Sequence, residues 1–312
     1  AGQVSGLAEW REPAVLDLAW APDEQTLAVA NFENISLYDV ENRSLLRTLY
    51  PPEGVVSLAF SPDGLWLASG QRRGDAETGF AGSVFLWVGP FWRPVGIIHG
   101  EPRGLSEVAF HPESDQFIAA FSHHDNQLNS VEFWDTTTWE ITRTLKTGLL
   151  QDVAFSPSGD LLATSPDRYA IQVYELDGKG LLYTLHTSFT GAVSSLVFSP
   201  DSLTLVSGHY DGLIRLWDMA TGNLLRTLVA GSDEVVESLA FHPGGRLLAA
   251  GTSYDDHLVR IWALENGALL RTLEGHESAV NSLAFSPSGQ YLVSGSYDGS
   301  LRLWGIRPGA VP

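Results

Sequence analysis

Residues 283–304 read LAFSPSGQYLVSGSYDGSLRLW. With the residues just before it, the stretch opens Val280-Asn281-Ser282-Leu283-Ala284-Phe285, the pattern of a half-buried strand. Ser286-Pro287-Ser288-Gly289 then breaks the strand, because proline fixes φ and glycine supplies the turn. A second run follows from Gln290 to Ser294, Asp298-Gly299 marks a tight turn, and Ser300 to Trp304 forms a third strand. The opening phrase recurs seven times: LAWAPDE at 18, LAFSPDG at 58, VAFHPES at 108, VAFSPSG at 153, LVFSPDS at 196, LAFHPGG at 239 and LAFSPSG at 283. Its prolines stand at 22, 62, 112, 157, 200, 243 and 287, with gaps of 40, 50, 45, 43, 43 and 44. A period in this range marks repeated supersecondary units.

A fourth run, LLRTL at 45, 224 and 269, follows a turn such as ATGN. Each repeat therefore supplies four short strands, and no helical period interrupts them. A four-stranded sheet cannot bury its own faces, but seven packed radially bury them on one another and leave only short edges. The fold expected is all-β, a seven-bladed propeller of four-stranded antiparallel blades in a single domain over 1–312. The blades are expected near 14–49, 54–99, 104–146, 149–186, 191–229, 234–274 and 279–304. The last blade lacks its fourth strand, and Val4-Ser5-Gly6-Leu7 aligns with Leu270-Arg271-Thr272-Leu273. Residues 3–8 are therefore expected to close the ring.

Composition limits the function. Lys+Arg is 18 against 37 Asp+Glu, a net charge of −19. Binding to a nucleic-acid backbone needs clustered Lys and Arg, so nucleic acid is excluded as a partner. The charge favours neutral to basic partners and solubility. With no cysteine there is no disulfide, thiolate catalysis or cysteine-held zinc, although the compartment is left open. No apolar run reaches the ~18 residues of a membrane helix, so no membrane association is expected. The reading is of a soluble monomeric domain, with the cytoplasm favoured. Because the chain begins at Ala1 and its one Met is Met219, it reads as a processed chain or an excised domain.

The third-strand aromatics Tyr38, Trp87, Trp134, Tyr174, Trp217, Trp262 and Trp304 stand in register through the seven repeats. Trp134-Asp135 and Trp217-Asp218 form WD dipeptides, and Gly275-His276 a GH. On these residues the chain resembles the WD-repeat β-propeller family over essentially its whole length. The resemblance implies a structural hydrogen-bond chain of Trp304, Ser294, His276 and Asp298. Serine, histidine and aspartate are also the parts of a hydrolase triad. That alternative needs an exposed nucleophile and an oxyanion hole, and no strained G-x-S-x-G elbow is present. Blade 5 keeps Ser207, Asp211 and Trp217 but has Phe189 in the histidine's place; blade 6 has Ser232 there and blade 1 has Trp10. Only blade 7 is expected to carry the full set.

The resemblance also points to one face, built by the loops that join blades and by the turns between second and third strands, as the partner site. Three sets of residues map there. Leu16, Val56, Ser106, Gln151, Ser194, Glu237 and Asn281 are expected to ring the channel mouth, with Glu237 its one carboxylate. Phe32, Tyr210, Tyr254 and Tyr297 each precede an acid, and tyrosine is favoured at binding hot spots; capping of the blade tips without a ligand is the alternative. Long insertions at 71–83 and 122–130 bring Arg72, Arg73, His123 and His124. Arg73-Gly74-Asp75 matches an adhesion tripeptide, but three residues recur too readily by chance to carry weight. His123-His124-Asp125 has no evident third ligand, so no metal is expected. Arg47, Arg143, Arg226 and Arg271 read as charges that protect edge strands. Phe91-Trp92 and Trp139 read as packing between blades.

The function expected is a non-catalytic scaffold that binds a neutral to basic protein or peptide, without a cofactor, and serves as the recognition module of a larger protein. The alternative is a small-ligand sensor or enzyme with its site at the channel mouth.

Overall fold

A computed structural model describes residues 4–73, 81–99, 104–112, 116–122, 129–148, 150–178, 180–187, 191–232, 234–253 and 255–306. The repeated phrase folds as a strand ending in a tight turn. In Ser61-Pro62-Asp63-Gly64 the N–H of Gly64 donates to the Ser61 carbonyl (2.9 Å), and the N–H of Trp66 donates to Ser61 Oγ (2.9 Å). The turn's last residue is left-handed, with φ of 70° at Gly64 and 75° at Gly289. In two repeats that position is held without glycine, by Glu24 (59°) and Ser202 (61°).

The chain opens with β1 (Val4–Arg11). The first blade follows as β2 (Asp17–Trp20), β3 (Thr26–Ala30), β4 (Ile35–Asp39) and β5 (Ser44–Leu49). The second is β6 (Val55–Phe60), β7 (Trp66–Arg73), β8 (Ala81–Val88) and β9 (Arg93–His99). The third is β10 (Gly104–Phe110), β11 (Gln116–Ser122), β12 (Ser130–Asp135) and β13 (Ile141–Lys146). The fourth is β14 (Val153–Phe155), β15 (Leu161–Thr164), β16 (Ala170–Glu175) and β17 (Gly180–His186). The fifth is β18 (Val193–Phe198), β19 (Thr204–His209), β20 (Leu213–Asp218) and β21 (Leu224–Val229). The sixth is β22 (Val236–Phe241), β23 (Leu247–Thr252), β24 (Val259–Ala263) and β25 (Ala268–Leu273). The seventh is β26 (Val280–Phe285), β27 (Tyr291–Ser296) and β28 (Ser300–Ile306), with β1 added to the outer edge of β28 in the order β1-β28-β27-β26.

All pairings within blades are antiparallel. The first strands touch in a closed cycle, β2-β6-β10-β14-β18-β22-β26 and back to β2. This is a seven-bladed propeller whose innermost strands surround a channel. The N-terminal strand closes it, with Val4 opposite Ile306 and Arg11 opposite Ser300.

The core is divided. Seven apolar clusters stand among the described residues, one at each seam between neighbouring blades. At the closing seam Val15, Leu18 and Leu27 of blade 1 pack on Val293, Leu301 and Leu303 of blade 7. Truncating one such side chain to alanine costs about 2–5 kcal/mol, so packing at each seam contributes strongly to holding the ring.

Each fourth strand bulges opposite its third-strand aromatic: at Leu46, Val95, Thr142, Leu182, Leu225 and Leu270, and at Leu7 in β1. The extra residue bends the strand. Beyond the bulge, Arg226 donates to the carbonyls of Leu264 (3.3 Å) and Glu265 (3.5 Å) in the next blade. Arg47 donates to the Phe91 carbonyl, and Tyr183 Oη to that of Ala220 (3.0 Å). The recurring edge arginines at 47 and 226 are thus ties between blades, beyond the edge protection expected of them. Trp92 packs edge-on against Phe60 at 5.4 Å, and Trp139 against Trp66 at 5.2 Å, so both fill the packing role while Phe91 stays exposed.

Candidate functional site

The three hydrolase-like residues of blade 7 lie in a buried chain. Trp304 Nε1 donates to Ser294 Oγ (2.9 Å), and Ser294 Oγ is 2.7 Å from His276 Nε2. His276 Nδ1 is 2.8 Å from Ser300 Oγ and 3.3 Å from Asp298 Oδ2. Tryptophan can only donate and a carboxylate only accepts, so the direction runs Trp304 to Ser294 to His276 to the Ser300–Asp298 pair. Burial holds His276 below its usual range despite the facing Asp298. Burial opposes the Asp298 charge, but the Ser300 hydroxyl and the N–H groups of Glu277 and Ser300 hold its carboxyl below the usual range. Ser294 is fully buried and its hydroxyl lies between two fixed partners, so no nucleophile is presented.

Blade 5 contains an arrangement that the sequence hides. Trp217 Nε1 donates to Ser207 Oγ (2.9 Å), which is 2.8 Å from His209 Nε2. His209 Nδ1 is 3.0 Å from the Gly191 carbonyl. That carbonyl can only accept, so Nδ1 carries the proton and Nε2 accepts from serine. The histidine thus comes from β19 itself, two residues after the serine and on the same face. Burial and the Arg215 charge push it down to about 4. Blade 1 uses Glu12, which accepts from Tyr38 Oη (2.6 Å) and Asn31 Nδ2 (2.9 Å). In blade 3 Ala119 pairs on the serine's register and Trp134 Nε1 has no partner among the described residues.

The aromatic tips are open. Phe32 is 58% exposed, Tyr210 46% and Tyr297 50%. Tyr169, at the same turn of blade 4, is 40% exposed and was overlooked because no acid follows it. Blades 4, 5, 7 and 1 thus present one aromatic each. Tyr254, His123, His124 and Gly74-Asp75 lie outside the described residues. Arg72 and Arg73 end β7, opposite Gly82 and Ala81, so the blade 2 insertion begins as an extension of the hairpin.

The mouth residues are largely engaged with neighbouring blades or with their own. Asn281 Nδ2 donates to the Val15 carbonyl (2.8 Å), and Ser194 Oγ to that of Val236 (2.6 Å). Glu237 Oε1 accepts from Ser253 Oγ (2.7 Å). Leu16 is partly buried, whereas Gln151 is exposed. Val56, Ser106, Ser194, Glu237 and Asn281 each sit at a bulge of the first strand.

The position after each of these five bulges, with Asp17 and Asp152 at the matching place in blades 1 and 4, whose first strands run without a bulge, forms a belt: Asp17, Ser57, Glu107, Asp152, Ser195, Ser238 and Ser282. It adds three carboxyls that the sequence reading, with Glu237 alone, did not place there. Asp17 accepts from Ser282 Oγ (2.9 Å) of blade 7 and from Leu58 N–H (2.7 Å) of blade 2. Glu107 accepts from Ser57 Oγ (3.0 Å), and Asp152 from Leu196 N–H (2.6 Å). Burial raises Asp17 to about 6 against the N–H groups of Leu58 and Leu18, and Asp152 to about 7 against those of Leu196 and Val153. Burial and the charges of Asp152 and Asp17 raise Glu107 well above the usual range. No group of three His, Cys, Asp or Glu among the described residues is placed to hold a metal ion. Among them, no helix is long and apolar enough to cross a membrane.

The family model for the WD domain, G-beta repeat, matches residues 43–87, 222–263 and 267–305. A model for the Vps8 beta-propeller matches 170–242. Over 62 residues the chain is 39% identical to a Periodic tryptophan protein 2 homolog of Neurospora crassa and 37% identical to one of Schizosaccharomyces pombe. Each match covers 20% of this chain and 7% of the relative.

Proposed function

The chain is a WD-repeat β-propeller, and from that premise we propose that it is a non-catalytic scaffold binding a neutral to basic protein or peptide across the face that carries Phe32, Tyr169, Tyr210 and Tyr297. The observation that carries this reading is the exposure of an aromatic at the same turn of four blades, on one side of a ring with net charge −19. Large amphipathic rings give contact area at little entropic cost. The exposed Glu33 supplies charge for a cationic partner, whereas Asp211 is paired with Arg215 (2.9 Å) and Asp298 is held in the buried chain of blade 7. The Arg72–Arg73 hairpin would wall one side of this surface, and Tyr254, His123 and His124 belong to the same proposal. Gln151 is the mouth residue best exposed to meet a ligand; Leu16, Glu237 and Asn281 would contribute at the inner edge. The propeller acts as a monomeric recognition unit, within a longer protein in this reading.

A second reading, a small-ligand site at the channel mouth, draws on the three channel carboxyls. Their oxygens are engaged by donors from neighbouring blades, and no nucleophile or metal set converges there among the described residues. The scaffold reading is therefore the stronger.

The experiment compares wild type with the Tyr210→Ala/Tyr297→Ala double variant at matched melting temperature. Binding of a set of Lys- and Arg-rich peptides is followed by fluorescence anisotropy at low and high salt. Binding by wild type that the variant loses and that weakens with salt is expected. Equal binding by both proteins would move the site off this face.

A further inference from the structure

We propose that Asp17, Glu107 and Asp152 form a proton-sensitive belt around the channel, which tightens the seam between blades 3 and 4 as the medium becomes mildly acidic. The belt is continuous at most seams. Ser282 and Leu58 N–H meet on Asp17, Val108 N–H donates to Ser57 Oγ (3.1 Å), and Leu196 N–H donates to Asp152. Ser238 Oγ reaches the Val280 carbonyl (3.2 Å). Between β10 and β14 no such bond is present among the described residues. There the belt sets Glu107 beside Asp152, two acceptors with no donor between them. β14 is also the shortest first strand, at three residues.

On the described strands packed most closely on the belt, no cation is placed to relieve this pair. The strands packed on β2, β10 and β14 are β3, β6, β7, β8, β11, β15, β18 and β26, apart from contacts among the three themselves. They carry no acidic or basic side chain other than Arg72 and Arg73, which lie on β7 beyond its pairing with β6. Two ionised carboxylates in such a site repel, whereas one protonated carboxyl can donate to the other. The raised titration ranges of all three acids accord with this geometry. The sign follows: a carboxyl that titrates higher in the folded chain stabilises it fully below about pH 4. That contribution is lost as the pH rises through about 6 for Asp17 and about 7 for Asp152.

The test counts protons. Unfolding enthalpies near pH 6, measured in buffers of different ionisation enthalpy, give the protons released on unfolding. Wild type should release more protons than Glu107→Gln, because the raised Glu107 carboxyl holds its proton in the folded chain and gives it up on unfolding. Glu41→Gln, the same change on the surface, should match wild type. Equal release by wild type and Glu107→Gln overturns the proposal. Should Glu107→Gln fail to fold, amide exchange of wild-type β10 and β14, corrected for intrinsic rates, decides. Slower exchange near pH 5.5 than near pH 7.5 supports the belt, and unchanged or faster exchange overturns it.

Discussion

His209 Nε2 lies 2.8 Å from Ser207 Oγ, two residues back on the same strand, and so β19 builds from within the contact that blade 7 builds with His276 from a loop. Both histidines are held neutral by burial, and this has a pH consequence. A histidine whose folded value is depressed contributes stability that is present above about pH 6.5 and is lost as the pH falls toward about 4, where His209 titrates. For His209 the loss amounts to about 2 kcal/mol by pH 5. Denaturant melts of wild type and His209→Gln over pH 5–8 should show a smaller acid loss in the variant. Parallel profiles would place the acid sensitivity elsewhere.

The left-handed residue of the repeated turn gives a second prediction. Glu24 holds φ of 59° where Gly64, Gly159, Gly245 and Gly289 hold the same conformation freely. A side chain there costs about 1 kcal/mol, partly offset by the greater freedom of glycine in the unfolded chain. Glu24→Gly should therefore raise stability by up to about 0.5 kcal/mol, read as a higher denaturant midpoint with an unchanged slope. A lower midpoint would show that the strain is absent.

Gly289 and His242 test a contact between blades. His242 stacks edge-on against Phe285 at 5.3 Å and bonds the Gly289 backbone, where an added Cβ would overlap its Nε2. Gly289→Ala should cost about 2–4 kcal/mol, from overlap and from φ of 75°. His242→Ser, which restores the residue found in four other repeats, should recover at least about 1 kcal/mol of that in the double variant. Strictly additive costs would mean that the two residues do not meet.

Ring closure can be measured directly. Deleting residues 1–9 removes most of β1, together with the Glu9–Arg302 ion pair (3.1 Å), and leaves the outer edge of β28 bare. The melting temperature should fall sharply, by about 3 kcal/mol or more of stability, since a strand's hydrogen bonds and its apolar face are lost together. An unchanged melting temperature would mean that β1 does not hold the ring.

The propeller was legible because each repeat states its own punctuation. A proline two residues after the first-strand aromatic ends that strand in all seven repeats, in full as Ser-Pro-x-Gly at 61–64, 156–159 and 286–289, and Asp-Gly marks the next turn at 211–212 and 298–299. Closure was legible from the missing fourth strand of blade 7, but the alignment was three residues out: β1 bulges at Leu7 as β25 does at Leu270, so Trp10 matches Leu273 rather than His276, and β1 runs on to Arg11. The tetrad residues could be named, but Ser300 and His209 were missed. Ser300 lies one turn residue beyond the acid, and His209 enters from a strand where a loop residue was sought. A Ser-x-His pair on one strand face was the signal available. Glu107, alone of the three channel carboxyls, was missed for a different reason. A bulge at Val56, Ser106, Ser194, Glu237 and Asn281 inserts one residue, which shifts the inward-facing position by one. Period-two reading of the first strand therefore named the neighbours of Ser57, Glu107, Ser195, Ser238 and Ser282.

The pairing of β1 with β28 also sets an order of assembly. Synthesis delivers β1 first and β28 last, so β1 waits without a neighbour while almost the entire chain emerges. Blade 1 waits as well, since the seam that covers Val15 and Leu18 is made by Val293 and Leu301. Contacts between such distant residues form late, because the entropy of closing the loop must be overcome first. The ring is therefore finished only after the last blade has left the ribosome, and whatever shields an unpaired β1 until then governs yield rather than the stability of the finished molecule.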